Sequence, residues 1–390
     1  MELSKSRKHI LYTISVIGFI FALHIVIPSY SNSSFLNIFA DENTIGLIYM
    51  TGAALSVFTF LLTPALIRYL GNYKTIFFVI CAEIAIFIGL ITSTSPTVLS
   101  ILFIIQFTTS SLIGFCLDIF LEEYTSGQKV GTVRGFYLTS LNFAWLLGPL
   151  IGSTLINNTN NYRSTYIASL AILFPLLYLV YRNFNRFHDP KYTNPSPWLL
   201  LKNLLLNKDL AKIFYGNLVL QIFYAWMVVY SPIYLNRNMG FSWEEIGIIL
   251  VIMLLPFILI QYPLGKIADN KYGEKRIMAI GFLIMGVATI FLSFIGTKML
   301  LVWAIALFIT RIGAAMVEIM LETYIYKSVT TKDITAISSF RLARPVSFFF
   351  SSSIMIIGLM FFEYQSMFAV VGLFTFTALI PILTIKDIKK

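Results

Sequence analysis

Segment 264–276 reads LGKIADNKYGEKR, a cluster of glycine and charge between two long apolar stretches. A turn this short has no core of its own, so Gly265, Asp269, Gly273, Lys275 and Arg276 must act on neighbouring helix ends, as the parts of a latch. Other charges stand where charge is costly. Glu83 lies midway through one apolar run and Arg311 midway through another. An ionised group at the centre of a hydrocarbon layer costs about 2.5 kcal/mol or more, so such residues face a cavity or a partner. Glu83 has two readings: a carboxyl that takes up and releases a proton during work, or a permanently protonated group making one structural hydrogen bond. Arg311 also has two, because Glu318 follows it by seven residues, about two turns on one helix face. It forms a fixed ion pair there, or it answers an anionic group on a substrate. Asp118 with Glu122, and Glu318 with Glu322, are carboxylates four residues apart and so share a face. They read as struts to Arg134 and to Arg341 or Arg344, with proton carriage as the alternative.

The remaining chemistry-bearing residues exclude more than they suggest. The three histidines, His9, His24 and His188, show no metal-ligand spacing, and no GxSxG, phosphate-loop or HExxH pattern is present. Neither an enzyme nor a metal or other cofactor is expected. Cys81 and Cys116 both fall within apolar runs, where a disulfide would have no loop to staple.

The elements that position these groups follow from composition. Apolar residues make up 58% of the chain, charged residues 12%, and mean hydropathy is +0.82, a chain solvated by lipid. Runs near the roughly 20 residues that cross a hydrocarbon core occur at 10–28, 44–67, 75–93, 98–121, 135–156 and 164–180. After a polar interval they resume at 213–235, 246–264, 277–295, 299–324, 337–362 and 366–385. Twelve helices are predicted in an all-α membrane protein. The expected organisation is an N-terminal six-helix bundle over 1–183, a cytoplasmic linker over 184–209 and a C-terminal six-helix bundle over 210–390. The first run has no small-residue cleavage site after it and reads as a retained helix.

Orientation follows from Lys and Arg, which stay on the cytoplasmic side. With the N-terminus inside, 28 basic residues fall in cytoplasmic segments except Arg163, Arg237, Lys298 and the intraspan Arg311. Both termini are therefore expected in the cytoplasm. The net charge of +10 is topology rather than a nucleic-acid footprint, so no nucleic-acid partner is expected.

The two halves resemble each other at an offset of 200. LDIFLEEYTSG (117–127) lies over VEIMLETYIYK (317–327), matching Asp118 to Glu318, Leu121 to Leu321, Glu122 to Glu322 and Tyr124 to Tyr324. A parallel repeat of two six-helix halves is the architecture of a transporter that opens to alternate sides.

On these residues the chain resembles the major facilitator superfamily over essentially its whole length. The family's loop signature G-x-L-A-D-R-x-G-x-(R/K)-(R/K) appears as Gly265, Ile267, Ala268, Asp269, Gly273, Lys275 and Arg276, with one extra residue before Gly273. The first-half copy, PALIRYLGNYK, keeps Leu66, Gly71 and Lys74 but has Pro64 for the first glycine and Arg68 for the acid. A second signature, the fifth-span motif that accompanies export in similar proteins, fits Gly135, Ala144, Gly148, Pro149, Gly152 and Ser153. Ordinary small-residue packing is the competing account of that motif.

The resemblance implies alternating access, with Asp269 holding the cytoplasmic side closed at the start of the fifth span. Polar residues expected to line the cavity are His24, Gln106, Asn142, Gln221 and Gln261, joined by Trp145, Tyr224 and Trp226. The function expected is proton-coupled export of amphipathic or drug-like compounds, with proton-coupled uptake of a polar nutrient or organic anion as the alternative. The partners expected are a small-molecule substrate, protons and the lipid bilayer, with the chain working as a monomer in a prokaryotic inner membrane.

Overall fold

The computed structural model describes residues 5–125, 130–187, 189, 207–260, 264, 273–328 and 334–386. Within those ranges some side chains are outside the description, among them Glu122, Arg134, Gly135 and Arg341. The chain divides into two compact units, Met1–Asn194 and Pro195–Lys390. All regular structure among the described residues is helical, as lipid requires, because a helix satisfies its own backbone donors and acceptors.

The first unit contains α1 (Lys5–Ser29), α2 (Glu42–Leu70), α3 (Asn72–Thr92), α4 (Pro96–Thr125), α5 (Val130–Thr159) and α6 (Arg163–Phe184). Local chemistry sets the boundaries. Asp41 caps α2 by accepting from the Thr44 backbone N–H at 3.0 Å. Gly71 is at once the end of α2 and the start of α3, and its φ of 86° is one that a glycine adopts without strain. Arg163 donates to the carbonyl oxygens of Ile91 at 2.5 Å and Ser93 at 2.6 Å, satisfying the end of α3. Between α1 and α2 a short buried helix, Asn32–Leu36, stands where the hydropathy pattern shows only a loop, and Asn32 accepts from the Tyr166 hydroxyl at 2.7 Å.

The second unit contains α7 (Lys208–Val229), α8 (Trp243–Leu259), α9 (Gly273–Leu292), α10 (Leu300–Ser328), α11 (Ile334–Gly358) and α12 (Tyr364–Leu383). A capping box between Ser242 and Glu245 starts α8. Beyond α7 the chain stays helical through Ser231–Ile233 and widens into a π turn at Tyr234–Asn238, next to Pro232, which has no amide to donate. The last helix is two α segments, Met367–Thr375 and Leu379–Leu383, joined by a tighter turn. Ten described helices have the length and apolarity to cross a membrane. The shorter apolar stretches Trp243–Leu259 and Leu342–Gly358 complete twelve, six in each unit.

The packing repeats as the sequence does. In the first unit α1 packs on α4, α5 and α6, α2 on α4, and α3 on α4 and α6. In the second, α7 packs on α10, α11 and α12, α8 on α10, and α9 on α10 and α12. Outward positions carry large apolar side chains such as Phe58, Phe291 and Ile380, which suit contact with lipid tails. Trp226 is expected from its residue type among the cavity-lining groups. It is fully buried against Tyr230 and Phe368, in an aromatic cluster that includes Tyr234 and Trp303.

Candidate functional site

The first unit buries one polar network in its apolar interior. Glu83 on α3 and His24 on α1 are both 0% exposed, with imidazole Nε2 3.4 Å from carboxyl Oε1. The Ser110 hydroxyl donates to Oε1 at 2.6 Å, and the Thr109 hydroxyl contacts Oε2. Gln106 Nε2 donates to Ser110 Oγ at 2.9 Å. On the far side of the imidazole, Nδ1 lies 3.1 Å from the Ser169 carbonyl oxygen on α6, and the Ser169 hydroxyl donates to the His24 carbonyl at 2.6 Å. Phe21 and Phe87 flank the ring, with centroids at 6.5 and 4.7 Å.

Four helices therefore converge on one carboxyl. Burying an ionised group needs a partner and hydrogen bonds to its remaining lone pairs, and this network supplies both. Their polarity within apolar runs placed His24 and Gln106 among cavity-lining groups, and both are buried members of the Glu83 network. Thr109, Ser110 and Ser169 were missed. The signal for Thr109 and Ser110 is the hydroxyl run QFTTSS on α4, although hydroxyls in helices usually bond back to their own carbonyls, as Thr109 also can with Ile105 and Gln106; Ser169 on α6 has no such signal.

The second unit buries Arg311 on α10, 2% exposed, with its guanidinium carbon 5.1 Å from the centroids of both Phe223 and Tyr224 on α7. The hydroxyl of Tyr224 lies within the fields of Glu318, Arg311 and Glu322. Arg311 stacks on that tyrosine, and both α10 carboxylates act on it through their charge. Asp118 on α4 is half-buried, and Arg344 on α11 is exposed. Gln221 on α7, and Asn142 and Trp145 on α5, are half-buried.

A sequence model described as Major Facilitator Superfamily matches residues 11–244 and again 229–389. The chain belongs to that superfamily. Among solved structures, a mutant of the nucleoside transporter NupG aligns with a TM-score of 0.75 over 97% of this chain and 100% of that one. The identity is 12%, so the likeness speaks for the fold alone. No curated protein matches the sequence. Membership of the Major Facilitator Superfamily makes this protein an integral, multi-pass membrane transporter of small molecules rather than an enzyme.

Within that family frame, the α5 signature has a visible packing role. A methyl group at Gly148 would collide with Val26 on α1, and one at Gly152 would collide with the Ile27 carbonyl oxygen. Ala144, Pro149 and Ser153 are buried beside them. The small residues let α5 approach the helix that carries His24, two residues before Val26. Gly135 lies in α5, but its surroundings are outside the description.

Of the loop signature, Gly265 and Asp269 lie outside the described residues, as does Gln261 of the cavity group. Gly273 starts α9 with a φ of 69°. Lys275 donates to the Ile385 carbonyl at 3.2 Å, beyond the end of α12 in its own unit, while Arg276 is exposed. Lys212 donates to Thr384 O at 2.8 Å and the Tyr324 hydroxyl to Lys386 O at 3.0 Å, so α7, α9 and α10 all hold the same chain end. In the equivalent joint of the first unit the trailing segment again accepts, but the charge is on the acceptor and the donor is a backbone amide. Asp189, after α6, accepts from the Asn72 amide at 2.7 Å and lies against Gly71, at the positive start of α3.

Proposed function

We propose that the protein is a proton-coupled transporter that exports amphipathic small molecules by alternating access, with Glu83 as the proton-carrying carboxyl. The observation that supports this reading is the burial of Glu83 among two hydroxyls and an imidazole. A carboxyl so placed is screened from water and has hydrogen-bond partners at both of its oxygens. Direction rests on the α5 motif, whose glycines seat the helix that carries His24. Asp269 is proposed as the cytoplasmic latch, and Arg311 with Phe223 and Tyr224 as groups that recognise a substrate carrying both an aromatic face and a polar end. The protein is proposed to act as a monomer with both termini in the cytoplasm.

The test is a thermal-stability screen of the purified protein against lipophilic drugs and polar metabolites at acidic and neutral pH, followed by flux in liposomes. A ligand at 100 times its dissociation constant stabilises by about 2.7 kcal/mol. The expected result is stabilisation by lipophilic compounds that weakens in acid, with efflux driven by a pH gradient. Glu83→Gln should abolish that drive and leave exchange of labelled for unlabelled substrate intact. Stabilisation by a polar metabolite that strengthens in acid would replace export with symport. Gradient-driven flux unchanged in Glu83→Gln would end the assignment of Glu83.

A further inference from the structure

The hydrogen bonds around His24 fix a proton count. A carbonyl oxygen only accepts, so the Ser169 oxygen 3.1 Å from His24 Nδ1 requires the ring proton to be on Nδ1. A neutral ring then has a bare lone pair at Nε2, and this lone pair faces Glu83 Oε1 at 3.4 Å. Oε1 already accepts the Ser110 hydroxyl, whose own oxygen accepts Gln106 Nε2. Without a proton between Nε2 and Oε1, two acceptors would confront each other in a site sealed from water, an unsatisfied arrangement.

We infer that His24 and Glu83 together form a single proton-binding site, with one exchangeable proton between Nε2 and Oε1. With the proton in place the pair is neutral overall, as imidazolium with carboxylate or as imidazole with carboxylic acid. Discharge breaks the Nε2–H bond, or the Oε1–H bond in the second form. Once the site opens the proton goes to water, the electron pair stays on the atom that released it, and the site is left with one negative charge. The two facing lone pairs then repel, so discharge loosens α1 from α3. Use of this step in transport rests on the function proposed above, whereas the proton count does not.

Other titratable groups on the packed helices are otherwise engaged or distant. Tyr166 on α6 donates to Asn32, and Tyr137 on α5 packs on Gly18. Arg163, at the start of α6, is bound to carbonyls at the end of α3. Cys116 and Asp118 on α4 lie six and eight residues beyond Ser110, about 9 and 12 Å along the helix. Cys81 is two residues before Glu83 on α3, so it points away from the Glu83 side of the helix, and Lys74 is nine residues before, about 13 Å away.

The test counts the proton directly. Protein labelled with 15N-histidine, reconstituted in lipid, gives signals from His9, His24 and His188 only, and His24→Gln assigns the one of interest. Infrared spectra of the same samples report any protonated carboxyl. Expected between about pH 5 and 8 is either an imidazolium pattern at His24 or a protonated-carboxyl band that Glu83→Gln removes. In Glu83→Gln the ring should become a neutral Nδ1–H imidazole, because the new amide can donate to Nε2 without an added proton. A neutral His24 ring in the native chain with no Glu83-dependent carboxyl band overturns the inference, as does a ring protonated on Nε2 and bare at Nδ1. These spectra need no substrate, so a shared proton with pH-independent flux would reject coupled transport and leave the proton site standing.

Discussion

Gly148→Ala tests whether the α5 small residues serve to seat α1. A methyl group added there meets the β-branched side chain of Val26 and comes 3.1 Å from the Val26 backbone carbon. Val26 is fully buried and, being β-branched in a helix, has essentially one side-chain rotamer, so it cannot swing aside. Overpacking of this kind costs about 1–3 kcal/mol, offset by about 0.5–1 kcal/mol from replacing a helical glycine with alanine. The expected net loss is thus up to about 2.5 kcal/mol. Val26→Ala alone empties two methyl groups of volume and costs about 1.6 kcal/mol at about 0.8 kcal/mol each. Combining the two substitutions puts the new methyl into the vacated space, so the double variant should be more stable than the sum of the single losses by at least about 1 kcal/mol. Reversible unfolding in mixed detergent micelles measures all four corners of the cycle. A coupling within the roughly 0.3–0.5 kcal/mol expected of independent sites, or a stabilised Gly148→Ala, would refute the seating role.

Three further predictions concern single contacts. Arg311→Lys should destabilise by about 1–2 kcal/mol in thermal unfolding, since a point charge loses the planar stacking on Phe223 and Tyr224; an unchanged midpoint would count against the stacked geometry. Asp189→Ala should remove about 1 kcal/mol of capping from α3, read as faster hydrogen exchange at Asn72 and its neighbours, with α9 unaffected. Hydrogen bonds from Thr44 hold the Asp41 carboxyl below its ordinary range. The cap's contribution to α2 is therefore present above the unfolded carboxylate's range and lost as pH falls through the folded value. Protection of the Thr44 amide, corrected for intrinsic exchange, should decline on acidification in the native chain and not in Asp41→Asn.

The architecture was legible because lipid imposes a simple rule: apolar runs of spanning length had to become helices, and the offset of 200 reappeared as a repeated packing pattern. Glu83 and Arg311 stood out for the same reason, as charges in runs otherwise without them. Their partners did not stand out. His24 is 59 residues from Glu83 on another helix, and nothing in either local sequence specifies that the two helices meet there. Trp226 shows the converse difficulty: along a helix apolar all round, periodicity does not separate the face turned to a cavity from the face turned to the core. Lys275 was legible as part of a joint, but its acceptor is a backbone carbonyl, a group every residue carries and no sequence pattern marks.

The joint at Asp189 gives the chain beyond α6 a mechanical lever. Tension on that segment is delivered first to the Asn72 amide, and Glu83 lies eleven residues further along the same rod, about 16 Å away. In the second unit the load is shared, because Lys212 on α7, Lys275 in the first turn of α9 and Tyr324 on α10 all hold the segment that follows α12. Two halves alike in their helices are thus unlike in what a pull on their trailing strand would reach: in the first, the helix that bears the buried carboxyl; in the second, three helices at once.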